Sequence, residues 1–167
     1  MKTLIVIPAL NPPEELIDYV ERLRASGLKD ILLVDDGSSK KFKHIFVELK
    51  EKYDCQLLTH AKNLGKGRAL KNAFNYFLTM PDVKEYNGLV TADSDGQHRV
   101  EDVIAMVKEI DKHPESLILG CRDFDSDNVP PKSKFGNKLT KVVFRIFYGR
   151  SITDTQTGLR GFPKKIL

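Results

Sequence analysis

Two kinds of apolar run alternate along the chain. Short continuous blocks, several of them rich in β-branched side chains, occur at Lys2–Ile7, Ile31–Val34, Gln56–Thr59, Gly88–Ala92 and Leu117–Gly120, and each reads as a strand. Between them the apolar positions recur at three- and four-residue spacing, which predicts helices. Leu16, Ile17, Val20 and Leu23 fall on one face of Glu14–Ser26; Phe42, Ile45, Phe46 and Leu49 on one face of Lys40–Lys52; Val103, Ile104, Val107 and Ile110 on one face of Val100–Lys112. A further helix is expected from about Arg68 to Leu78. Pro13 and Glu14 suit a first helical turn and Gly27 a stop. Strand and helix in alternation, with short connections, predict an α/β fold: a largely parallel twisted sheet flanked by helices, Rossmann-like in outline.

The polar segments are not evenly spread over this pattern. Pro8–Glu14, Asp35–Ser39, Asn63–Gly67, Asp93–His98 and Arg122 each follow a strand directly, and parallel strands place all five on the same sheet edge. The opposite edge receives ordinary connectors, Gly27-Leu28-Lys29 and His113-Pro114-Glu115. Turn chemistry alone explains the residue types but not this asymmetry. The sharpest segment is Leu89–His98, where an apolar run ends in Asp93-Ser94-Asp95-Gly96-Gln97-His98. Two carboxylates at i and i+2 repel unless positive charge lies between them. A divalent cation carrying a diphosphate meets that need, since hard oxygen ligands suit Mg²⁺ or Mn²⁺.

Composition narrows the choice. The 167 residues, 41% hydrophobic and 30% charged, suit one globular domain with a core. With no tryptophan, few aromatics and a net charge of only +4, nucleic acid is not an expected partner, whereas phosphates or a membrane surface are permitted. Cys55 and Cys121 sit in or just after apolar runs and are expected to be buried thiols, in keeping with a reducing cytosol. Met1-Lys2-Thr3 leads straight into a strand-like run without a cleavage site, so no leader peptide is expected, and no run of about 20 apolar residues spans a bilayer. The first strand is followed by Pro-Ala-Leu-Asn-Pro-Pro rather than G-x-G-x-x-G, and Gly65-Lys66-Gly67 lacks the spacing of a P-loop.

Six motifs in order, VIPALN–PEE, LLVDDGSS, NLGKGRAL, TADSDGQH, LGCRDF and DTQTGLRGF, make the chain resemble the family 2 glycosyltransferases over nearly its whole length. The branch it most resembles charges polyprenyl phosphates with a sugar, as dolichol-phosphate mannose synthases do. The resemblance implies a GT-A-type nucleotide-sugar-binding domain over residues 1–167 and an inverting, metal-dependent hexosyl transfer from a UDP- or GDP-sugar. It also implies roles. Pro8 and Glu14 would flank the nucleobase, Asp36 would contact base or ribose, and Asp93 would lie by the ribose and diphosphate. Asp95 would be the principal ligand of Mg²⁺ or Mn²⁺, with Asp93 beside it, and Gln97 would touch the sugar or the metal shell. Arg122 would face the diphosphate or the acceptor phosphate, and Asp154 and Arg160 would belong to a loop closing over the site. Lys66 either contacts phosphate or merely starts a helix.

The acceptor follows from chemistry. A phosphate is already anionic near neutral pH and needs no general base, whereas a sugar hydroxyl needs a carboxylate within reach. Relatives that glycosylate hydroxyls often carry a Glu-Asp pair after the metal motif; none lies between Leu117 and Leu167, where Asp154 is the one substitute, and this favours a polyprenyl phosphate. Transfer to a sugar hydroxyl in cell-surface polysaccharide synthesis, and a non-catalytic nucleotide-binding module, are the alternatives. Leu10 and Pro12-Pro13 replace the tyrosine and early glutamate common in the family, which leaves UDP and GDP open. Val129-Pro130-Pro131-Lys132 replaces a frequent arginine, so phosphate contact there passes to Lys132 or Lys134. Lys138–Tyr148 mixes apolar residues with Lys138, Lys141 and Arg145 at helical spacing, and suits either a helix on the sheet or one lying in a membrane interface. A peripheral position at the cytoplasmic membrane face is expected. So are further helices or membrane segments beyond Leu167, missing from a truncated chain.

Overall fold

The computed structural model describes residues 1–121 and 157–167. Six strands lie in one sheet: β1 (Lys2–Ala9), β2 (Ile31–Asp35), β3 (Gln56–Thr59), β4 (Tyr86–Thr91), β5 (Ile118–Leu119) and β6 (Arg160–Pro163). Among the described residues four helices flank them: α1 (Glu15–Ala25), α2 (Lys43–Glu51), entered through a single 3₁₀ turn at Lys40–Phe42, α3 (Lys66–Thr79) and α4 (Val100–Lys112). The spatial order is β3-β2-β1-β4-β6-β5. Pairings among β3, β2, β1 and β4 are parallel, and β6 runs antiparallel to both neighbours.

The continuous apolar strands are covered on both faces. Along β1, Ile5, Ile7 and Ala9 join Ile31 and Leu33 of β2 in one core with α1, α2 and α4, through Leu16, Val20, Phe46 and Val103 among others. The alternate residues Leu4, Val6, Leu32 and Val34 pack on the other face against Ala69, Ala73 and Phe77 of α3. Every one of these strand residues is at most 3% exposed, as a two-sided sheet requires.

Two expectations change. The chain from Arg160 to Pro163 is a strand, β6, and not part of a closing loop, and it inserts between β4 and β5. It can do so because Gly88 of β4 has no side chain: a Cβ there would lie 2.3 Å from the carbonyl oxygen of Phe162. Four residues with two glycine-and-proline interruptions carry no strand periodicity, so pairing and not pattern makes this strand. Cys55 is buried, and burial pushes its thiol up to about 11, but Cys121 is exposed. It lies two residues past the end of the two-residue β5. Arg122, Val129–Lys132, Lys138–Tyr148 and Asp154 lie outside the described residues. Among the described residues, no helix is long and apolar enough to cross a membrane.

The strand ends are held level by hydrogen bonds just beyond the ladders. The Asp36 amide donates to Ala9 (2.9 Å), the His60 amide to Asp35 (2.9 Å) and the Ala92 amide to Val6 (3.0 Å). The loop after β3 folds directly over Gly37, which has φ +78°; a Cβ there would lie 2.2 Å from the carbonyl carbon of Lys62. Gly37→Ala should therefore destabilise the protein by about 3 kcal/mol, from overpacking plus left-handed strain. Urea unfolding checks this, and a change within about 0.5 kcal/mol of zero would remove the close approach from the account.

Candidate functional site

A cleft of about 400 Å³ opens at the carboxyl ends of the parallel strands, within the range of small-molecule sites. Four separate segments line it: Pro8, Ala9 and Leu10 from the end of β1, Asp36 after β2, Asn63, Gly65 and Lys66 between β3 and α3, and Asp93, Ser94 and Asp95 after β4.

Asp36 is the hub of the rim. It is 4% exposed and its carboxylate accepts three bonds, from His60 Nδ1 (2.7 Å) and the Leu64 amide (2.9 Å) at Oδ1 and the Gly65 amide (2.8 Å) at Oδ2. Burial pushes the Asp36 carboxyl up, but the His60 and backbone N–H groups outweigh it and hold it below its ordinary value. His60 is in turn oriented by Asn72, whose Nδ2 donates to Nε2 (2.9 Å). The preceding Asp35, 1% exposed, pairs with Lys43 and accepts the Ser38 amide at 2.8 Å. The loops after β1 and β2 are clasped by a reciprocal pair: the Asn11 amide donates to Ser38 Oγ, and the Ser39 amide to Asn11 Oδ1, both at 2.9 Å. The Asp-Asp-Gly-Ser-Ser segment is therefore the frame of the cleft, with Asp36 at its wall.

Opposite it, Gly65 precedes α3, and the first turn of that helix carries Lys66 and Arg68 with no acidic residue. Unpaired amides at a helix start and a lysine favour an anion. Lys66 pairs with Asp93 Oδ1, and His98 Nε2 stands 3.4 Å from Asp93 Oδ2. This second approach is a close contact without hydrogen-bond alignment, since Nε2 is buried and has no hydrogen-bond partner among the described residues. His98 and Lys66 hold the Asp93 carboxyl well below the usual carboxylate range, against its partial burial. Asp93 also rests on the backbone of Gly158, where a Cβ would lie 2.0 Å from Oδ2, and Thr91 Oγ1 donates to the Gly158 carbonyl at 2.9 Å.

The expected site residues separate into three groups. Pro8, Asp36, Lys66, Asp93 and Asp95 come together in the cleft. Glu14, Gln97 and Arg160 are not among its lining. The Glu14 side chain is 66% exposed and meets His44 Nε2 at 2.7 Å; Gln97 offers its amide to Asp95 Oδ1 at 3.1 Å; Arg160 donates Nε to the Thr157 carbonyl at 2.9 Å. Arg122 and Asp154 lie outside the described residues. Reading the sequence missed His60 as the support of Asp36, although it too follows a strand, and Gly158 as the floor of Asp93. It also gave no sign of Tyr19, a fully buried helix residue that packs beneath Gly96, its hydroxyl without a hydrogen-bond partner among the described residues.

Among the described residues, no three His, Cys, Asp or Glu side chains are grouped to hold a metal by themselves. What is present is the exposed carboxylate of Asp95, with only the Gln97 amide bonded to it among those residues, next to the engaged Asp93. One or two carboxylates open to solvent suit Mg²⁺ or Mn²⁺ when phosphate and water complete the shell, and do not suit a closed structural site.

A family model described as "Glycosyl transferase family 2" matches residues 4–167. The chain belongs to glycosyl transferase family 2. Among its relatives, an uncharacterized protein of Methanocaldococcus jannaschii is 30% identical, the match covering 98% of this chain and 67% of that one. The UDP-N-acetylglucosamine–dolichyl-phosphate N-acetylglucosaminyltransferase of Methanococcus voltae is 27% identical, covering 98% and 70%. The fold matches glucosyl-3-phosphoglycerate synthase from Mycobacterium tuberculosis, solved with Mn²⁺, UDP and glucosyl-3-phosphoglycerate, with a TM-score of 0.68 at 17% identity over 98% of this chain and 57% of that one. The sheet is thus the GT-A fold of this family, and the chain spans little more than half of that solved protein.

The pairing of Asp93 has a pH signature. Its folded pKa lies below that of an unfolded aspartate, about 3.9, so ionised Asp93 stabilises the fold above that pH and the contribution is lost as pH falls toward the folded value. The difference in Tm between the wild type and Asp93→Asn should hold steady from about pH 6 to pH 5 and shrink below about pH 4. A difference already gone at pH 5 would contradict the pairing.

Proposed function

We propose that this chain is the nucleotide-sugar-binding part of an inverting hexosyltransferase that uses a UDP- or GDP-sugar, Mg²⁺ or Mn²⁺, and a polyprenyl phosphate acceptor. The observation that carries the reading is the cleft itself: Asp93 and Asp95 face Lys66 and the start of α3 across one hollow. Carboxylates for a cation and cationic groups for a diphosphate are what a nucleoside diphosphate requires together. Pro8 and the exposed Leu10 supply an apolar wall for the base beside Asp36 and Asn63.

In this reading Asp95 and Asp93 hold the metal, which would neutralise negative charge on the departing diphosphate. Lys66 and the α3 amides bind the phosphate oxygens and stabilise the charge that develops on the β-phosphate as the C1–O bond breaks. The acceptor oxygen attacks C1 from the opposite face, forming the new C1–O bond as the nucleoside diphosphate leaves, so the anomeric configuration inverts. Arg122 is assigned to the diphosphate or acceptor phosphate, as a planar, permanently charged fork, and Asp154 to closure of the site. Glu14 and Gln97 reach the donor only by turning inward from their present positions. The relatives support the acceptor: they include the dolichyl-phosphate enzyme above and a polyprenol monophosphomannose synthase of Mycolicibacterium smegmatis, 27% identical over 99% of this chain. An acceptor that is already a phosphate anion needs no catalytic base. A peripheral site at the cytoplasmic membrane face follows from a lipid acceptor.

Calorimetric titration with UDP- and GDP-sugars tests the reading. Asp95→Ala should lower metal-dependent donor affinity at least tenfold, about 1.4 kcal/mol, and leave Tm nearly unchanged because the side chain is exposed. Unaltered binding would remove the metal role. Product formed with a full-length protein should be acid-labile, as a phosphate-linked sugar is; an acid-stable glycoside would transfer the activity to a hydroxyl acceptor.

A further inference from the structure

The two partners in the Lys66–Asp93 pair differ in freedom. Asp93 is wedged: it follows β4 directly, lies against the Gly158 backbone where even a methyl group would collide, and has His98 on its second oxygen. The Gly158 backbone is itself fixed, by Thr91 Oγ1 on its carbonyl and by antiparallel pairing of the adjoining Arg160 with Thr91. Lys66 is instead the first residue of α3, with its side chain 55% exposed against 30% for Asp93. Any exchange at this contact is therefore made by the lysine. The ammonium has a second destination close by, since Lys66 and Gly65 both line the cleft into which the helix start opens.

We infer that Lys66 is a placeholder cation: in the empty cleft it occupies Asp93 and keeps a bare divalent ion from using it, and a diphosphate draws it away and releases Asp93. Lys66 thereby makes the site selective for a metal together with a nucleoside diphosphate over the metal alone. A surface lysine–carboxylate pair is weak enough, up to about 1 kcal/mol, to yield to a polyanion, yet its positive charge opposes a second cation on the same oxygen. The inference rests on the proposed nucleotide-sugar site, and adds to it an order: the phosphates and the metal arrive as a set.

Electron paramagnetic resonance of Mn²⁺ with the whole chain tests it without turnover. The wild type should bind Mn²⁺ weakly alone and at least tenfold more tightly with UDP or GDP present. Lys66→Met should bind Mn²⁺ alone several-fold more tightly than the wild type, while gaining less from the nucleotide. In an Asp93→Asn background the same substitution should have no effect on Mn²⁺, since the carboxylate it frees is gone. A Lys66→Met protein whose nucleotide-free Mn²⁺ affinity is unchanged or lower overturns the placeholder. If instead no nucleotide binds to the wild type, the proposed function fails while the metal-only comparison still judges the lysine. Should Lys66→Met not fold, the Lys66 Nζ resonance of the wild type replaces it. That resonance should respond to Asp93→Asn in the empty protein and cease to respond once nucleotide and Mg²⁺ are bound; an equal response in both states overturns the exchange.

Discussion

A carboxylate at the end of a buried strand must be balanced by positive charge, and here that requirement falls on Asp93. Lys66 comes from the far side of the cleft and His98 from the same loop, while Gly158 fixes the oxygens that both approach. The consequence reaches well beyond one ion pair. It brings the segment after β4, the start of α3 and the turn before β6 to a common point, although they are widely separated in sequence. Other ties join the same segments, Thr91 to Gly158 and Asp36 to the amides of Leu64 and Gly65, so the charged contact closes a meeting that the backbone already prepares.

The rest of the cleft is organised so that this meeting point stays fixed. Asp36 gathers His60 and two backbone amides and so hangs the Lys66-bearing loop from the end of β2. Asp35, Asn11, Ser38 and Ser39 tie the first two loops into one frame. Polar groups buried here are nearly all satisfied by one another, which makes the frame stiff. Among the described residues of the cleft, the more exposed side chains are Asp95, Leu10 and Lys66, the ones that the proposed function brings to the ligand. A rigid frame with a few free side chains is what positions a charged substrate without first having to order a loop.

Much of this was legible in the chain because parallel strands leave a simple trace. Apolar runs and their spacing located β1 to β5 and the four described helices to within a few residues, and put Pro8, Asp36, Lys66, Asp93 and Asp95 on one edge. What could not be read were features set by contacts distant in sequence. β6 exists because Gly88 admits its backbone, and nothing in Arg-Gly-Phe-Pro announces a strand. Gly158 looked like part of a closing loop, whereas its missing side chain is the space that Asp93 occupies. Asp35 and Asp36 are adjacent and chemically identical, yet Asp35, the last residue of β2, is sealed behind the cleft with Lys43 and Asp36, just after the strand, lines it; only the position of Lys43 and His60 says what each binds. Cys121 shows the converse error: it follows an apolar run that predicts burial, yet it is exposed just past the end of β5.

The proposed binding of a single ligand in the cleft at four strand ends is most directly examined by following backbone amide resonances during titration with UDP or GDP and Mg²⁺. The account predicts that Ala9, Leu10, Asp36, Asn63, Gly65, Lys66 and Asp95 shift together along one binding curve, while the groove between Arg22 and Arg99 stays silent. Shifts confined to that groove, or scattered over the surface with different affinities, would contradict it.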